Sequence, residues 1–138
     1  MKTVRILPMN HGNETFVGKT IEEVQKEFFC KTLIENKGWY YYGVSGLKAE
    51  EGDLVLFQMD NQIIASALYK EQLPVYGDKD SNGAILFYCY SIKIFKPILG
   101  DELVNYIKEF KRFGDCKYLF TLDEDDYQKL LDRLNVSL

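Results

Sequence analysis

Two β-prone runs, Leu54 to Met59 and Gln62 to Tyr69, are separated only by Asp60-Asn61. Asp and Asn tolerate the left-handed backbone that a two-residue turn demands, so this stretch predicts a tight hairpin. An antiparallel sheet with covering helices, an α+β fold, is the frame into which the other segments must fit.

Residues 3 to 7 predict a short first strand, and Asn10-His11-Gly12-Asn13 a polar turn. Thr20-Ile21-Glu22-Glu23 has the order of a capping box, followed by Ile21, Val24 and Phe28 at helical spacing, with Asn36-Lys37-Gly38 as the helix end. After the hairpin, Pro74, Gly77 and the polar tip Asp78 to Gly83 interrupt the pattern. The run from Ala84 to Phe95 is one long bent strand or two strands, stopped by Pro97. Asp101 then caps a helix carrying Leu103, Tyr106, Ile107, Phe110 and Phe113, ended by Gly114. Asp123 opens a last helix with Tyr127, Leu130, Leu131 and Leu134 inward. The predicted order is β-α-β-β-β(β)-α-α, without repeats or linkers, so residues 1–138 are expected to form a single domain.

Among the 138 residues, 17 Lys plus Arg face 21 Asp plus Glu, a formal charge of −4 that argues against an indiscriminate grip on polyanions. His11 is the only histidine, which excludes His-rich metal sites, and no metal or other cofactor is expected. Cys30, Cys89 and Cys116 have no close spacing and are read as reduced thiols; with no signal-like start and no long apolar stretch, a cytoplasmic protein without membrane contact is expected. Glycines 43, 46 and 52 make no phosphate-binding loop, and Ser45 sits in no nucleophile elbow. His11 beside Glu14 is read as a surface-turn residue in preference to an acid or base, for want of an orienting partner. The run Asp123 to Asp126 is read as capping and dipole complementation in preference to a cation site. No catalytic residues emerge, and the chain is read as a non-enzyme.

Aromatic residues make up 14% of the chain, with ten Tyr and nine Phe. If Trp39-Tyr40-Tyr41-Tyr42 is extended, Trp39 and Tyr41 share one face and Tyr40 and Tyr42 the other, so that one pair can be core while the other lines a site. Tyr88 and Tyr90 share a face of the later strand by the same period. Flat rings with hydroxyls suit a splayed nucleobase; equally, they suit a protein interface or the rim of a small barrel.

The segment Gly52-Asp53-Leu54-Val55-Leu56-Phe57, followed by Ile63-Ile64-Ala65-Ser66-Ala67, resembles the central hairpin of the PUA-like superfamily, especially its EVE, YTH and ASCH branches. Trp39-Tyr40-Tyr41 and Ser91 to Ile98 resemble the flanks of stand-alone or nuclease-linked bacterial and phage members. The likeness covers about residues 35 to 98. It implies a small pseudo-barrel of about five or six mostly antiparallel strands, with an N-terminal helix and two C-terminal helices. It also implies RNA or DNA binding and, in some branches, a modified base held in an aromatic pocket. Trp39 and Tyr41 would be pocket walls and Ser45 a polar group near the mouth.

The expected function is thus a nucleic-acid-binding module that takes a modified or flipped base between Trp39, Tyr41, Ser45, Tyr88 and Tyr90, with Lys37, Lys48 and Lys93 meeting phosphates. The alternative is a phage or mobile-element factor that inhibits a host defence enzyme through a Tyr-rich or acidic face. An ASCH-type nucleotide-processing enzyme is a third reading, for which no acid and base residues can be picked out.

Overall fold

The computed structural model describes residues 1–41, 49–73, 84–115 and 117–136. The predicted hairpin is present as β3 (Leu54–Met59) and β4 (Gln62–Leu73). Asp60 and Asn61 have φ of 53° and 59°, the paired left-handed residues of a tight primed turn. β4 runs four residues further than its apolar pattern suggested. Gly52 (φ 91°) turns the chain into β3, and its N–H donates to Tyr69 O at 2.8 Å. The Asp53 carboxylate accepts from Arg5 Nε at 3.1 Å and from Glu50 N at 2.9 Å, fastening the start of β3 to the first strand.

That first strand, β1 (Lys2–Pro8), lies parallel to β3 and antiparallel to β7 (Leu119–Leu122). β2 (Trp39–Tyr40) pairs with β5 (Ala84–Phe87), which pairs with the far half of β4, while β6 (Lys93–Leu99) pairs with its near half. Among the described residues the result is a mixed seven-stranded sheet in the order β2-β5-β4-β3-β1-β7, with β6 attached to β4 off that path. The expectation of five or six strands fell short because β7 was not anticipated; the alternation of Phe120 and Leu122 inward with Leu119 and Thr121 outward is its signature.

Both sheet faces are buried, and this is why β3 is apolar but for Gln58. Val55, Phe57 and Met59 join one core with the N-terminal helix, whereas Leu54 and Leu56 join a second with the C-terminal elements. The N-terminal helix begins as α1 (Ile21–Glu23) and passes through a π-helical stretch (Val24–Thr32) into α2 (Leu33–Glu35). The capping box forms: Thr20 Oγ1 accepts from Glu23 N at 3.1 Å, and Glu23 Oε1 accepts from Thr20 N at 3.0 Å. The wider winding turns Val24, Phe28 and Leu33 inward together with Gln25 and Phe29.

Three expectations need correction. Pro97 does not stop a strand but lies within β6, which pairs only with β4 among the described strands, so the missing N–H costs no ladder bond. The helix foreseen over residues 101–113 is α3 (Gly100–Leu103) followed by three-residue turns, with Tyr106 N bonded to Leu103 O and Phe110 N to Ile107 O. Those turns still bury Leu103, Ile107 and Phe110, so the apolar stripe was sound but the regular helix was not. Asp101 sits in the first turn, and Leu99 occupies the cap. The last helix, α4 (Glu124–Leu134), forms as expected, with Asp123 Oδ1 accepting from Asp126 N at 2.8 Å.

Candidate functional site

Trp39 and Tyr41 owe their placement to the helix exit. Lys37 (φ 59°) and Gly38 (φ 91°) reverse the chain, and Phe87 N donates to Gly38 O at 2.9 Å. A Cβ at position 38 would lie 2.1 Å from Phe87 O, so only glycine lets β2 start against β5. Trp39 then faces Leu86 across the ladder, and Tyr40 faces Ile85. Tyr40 is 1% exposed and packs edge-on against Phe28 and Phe87 in the core. Trp39 is half-buried and Tyr41 is 52% exposed, their rings 6.5 Å apart and inclined by 27°. The strand alternation therefore separates a core tyrosine from a surface pair. Lys37 is exposed two residues upstream, while Tyr42, Ser45 and Lys48 lie outside the described residues.

Tyr88 and Tyr90 are not strand neighbours as foreseen. The run from Ala84 to Phe95 divides into β5 and β6 around a 3-10 turn, Cys89–Ser91. Ser91 Oγ causes the break: it accepts from Leu68 N at 2.8 Å and donates to Tyr88 O at 2.6 Å, taking over a ladder position of β4. The two tyrosine rings are 5.3 Å apart, tilted by 42°. Tyr88 donates its hydroxyl to Glu51, which, with its burial and the charges of Glu51 and Glu71, pushes the phenol up to about 12. Lys70 Nζ stands 5.6 Å from the Tyr88 ring centre. This pair is set among carboxylates, and the two ring pairs make no ring contact with each other among the described residues.

Tyr90 and Lys93 instead border a cavity of about 300 Å³ between the sheet and α4. Leu54, Leu68, Leu131 and Leu134 make its apolar wall, with the Tyr127 ring beside them. Lys93 Nζ, foreseen as a phosphate contact, donates to Asn135 Oδ1 at the C-terminal end of α4. Ser66 also lines this space and was passed over in the sequence, although a hydroxyl between Ala65 and Ala67 in a buried strand marks the opposite sheet face.

His11 has the partners its sequence context did not reveal. Nδ1 is 2.6 Å from Asp60 Oδ2, and Nε2 is 2.6 Å from Lys19 O. Both nitrogens donate when the ring is protonated, and the Asp60 bond, followed by the Lys19 carbonyl, holds its pKa above the ordinary 6.5. With both nitrogens engaged by the protein, His11 fastens the loop after β1 to the hairpin tip and has neither free for substrate. In the acidic run, Asp123 caps α4 and Asp126 lies 3.5 Å from Lys108 Nζ.

The sequence matches no model of a known protein family and no curated protein. Among the described residues, no helix is long and apolar enough to cross a membrane.

Proposed function

We propose that this chain is a non-enzymatic nucleic-acid-binding module of PUA-like character, with Trp39 and Tyr41 as the surface on which an unstacked base lies. The observation that carries it is the near-parallel Trp39–Tyr41 pair, half-exposed at and just beyond the short strand that Gly38 sets against β5. Ring faces held in place beforehand take a base without further ordering cost, and each stacked base contributes roughly 1 to 3 kcal/mol. Lys37, exposed two residues before Trp39, is the phosphate contact in this reading. The pseudo-barrel reading is supported by the forked sheet, in which β4 is flanked by β3 and β6 over its first half and continues with β5 over its second.

Trp39 is the only tryptophan, so its emission reports on this surface. Titration with short single-stranded and duplex oligonucleotides, plain and base-methylated, at two salt concentrations, should give saturable quenching that weakens with salt and is lost in Tyr41→Ala. Silence at low salt, in emission and in direct binding alike, would sink the proposal.

A second reading rests on Tyr90, 78% exposed beside Tyr88 and the carboxylates of Glu51 and Glu71. An exposed tyrosine among acids suits a basic protein partner, such as a host defence enzyme inhibited by a phage or mobile-element factor. Tyr90→Ala would separate the two, weakening a protein complex and leaving oligonucleotide quenching intact.

A further inference from the structure

We propose that the cavity between the sheet and α4 is a second binding site, one for a small aromatic carboxylate. Its volume of about 300 Å³ reaches the lower bound of ordinary ligand pockets.

The polar groups in it set the chemistry. Ser66 is 1% exposed and makes no side-chain hydrogen bond to the described residues. Ser66 lines the cavity, and its hydroxyl is the polar group that β4 offers there. Ser91, by contrast, has its hydroxyl committed to Leu68 N and Tyr88 O. Among the described residues of the lining Lys93 is the one that is charged, and Asn135 holds its ammonium at the end of α4. Between hydroxyl and ammonium the walls are leucines and the Tyr127 ring, with Tyr90 at the outer side.

A ligand that satisfies all of this has a flat apolar body against Leu54, Leu131 and Tyr127, a polar edge for Ser66, and one negative charge to displace Asn135 from Lys93. A single cation, with no second basic group among the described lining residues, suits a monoanionic carboxylate better than a phosphate dianion. The site is independent of the Trp39–Tyr41 surface, and either assignment stands without the other.

The test is an amide-resolved NMR titration of the whole chain with benzoate and indole-3-acetate, each paired with its neutral amide. Saturable shifts at Ser66, Leu68, Ser91 and Lys93 are expected, with the acids binding about tenfold more tightly than the amides. Lys93→Met should erase that difference and Lys93→Arg should keep it, while Tyr41→Ala changes neither. Equal binding of acid and amide, or shifts absent from those four amides, would overturn the proposal. The acid-to-amide comparison needs only the unaltered protein, so it decides the matter even if Lys93→Met fails to fold.

Discussion

His11 and Asp60 are 49 residues apart in the chain and meet at 2.6 Å, joining the loop after β1 to the tip of the β3–β4 hairpin. Asp60 also has φ of 53°, so one residue serves both as turn former and as the partner that raises the imidazole's pKa. Because the native pKa of His11 lies above its ordinary 6.5, its contribution to stability is fully present below about pH 6.5. It is lost as pH rises through the native value. His11→Ala should therefore lower Tm by about 2 to 4 °C in mildly acidic buffer and by much less in mildly alkaline buffer. Melting curves of both proteins across that range check it; a Tm difference that grows with pH would contradict the clamp.

Gly38→Ala should be among the most damaging single-methyl changes available. The added Cβ would fall 2.1 Å from the Phe87 carbonyl oxygen, a backbone atom, at a φ of 91° that alanine adopts only under strain. A cost of roughly 3 kcal/mol or more is expected, with β2 prised from β5 and Trp39 emission shifted to the red. Gly52→Ala is the control: φ is also 91°, but nothing lies within 4 Å of its Cβ, so only backbone strain of about 1 kcal/mol applies. Denaturant melts that rank the two equally would show that the Phe87 contact is relieved cheaply.

Gln25 is buried at 2% exposure and donates from its one amide nitrogen to Ile64 O at 2.8 Å and Phe95 O at 2.7 Å. These carbonyls sit where β4 and β6 slip register between Ile63 and Ala65, so the side chain replaces ladder bonds that the bulge forgoes. Gln25→Leu keeps the volume and orphans both acceptors, for an expected loss of about 2 to 4 kcal/mol. Amide exchange should accelerate first along β6. Undiminished stability would mean that water satisfies the two carbonyls.

These contrasts show why some of the architecture was legible in the sequence. The Asp60–Asn61 turn, the Thr20 capping box, the Lys37–Gly38 exit and the Asp123 cap are local: a few adjacent residues contain the whole physical cause. Pro97 is tolerable only because β6 lacks a second neighbour among the described strands, and β7 exists only because β1 offers an edge. Neither fact is written near Pro97 or Leu119. Tyr88 and Tyr90 depart from a period-two pattern because the Ser91 hydroxyl captures Leu68 N, 23 residues away. Ser66 was overlooked for the same reason, since the meaning of its hydroxyl depends on the space that α4 leaves open.

The neighbouring residues Tyr40 and Tyr41 provide the sharpest separation of stability from binding. Tyr40 is sealed against Phe28, Phe57 and Phe87, so Tyr40→Ala should cost about 3 to 5 kcal/mol, as for other large aromatic truncations in a core. Tyr41 is 52% exposed and touches Trp39 by ring stacking, so Tyr41→Ala should stay within about 0.5 kcal/mol of the parent protein. Oligonucleotide affinity should respond in the opposite sense: Tyr41→Ala weakens it about tenfold or more through the lost stacking surface, with the fold intact. Paired urea melts and Trp39 titrations measure both quantities on the same samples. A destabilised Tyr41→Ala would make that ring a structural prop and remove the ground for assigning the surface to a base.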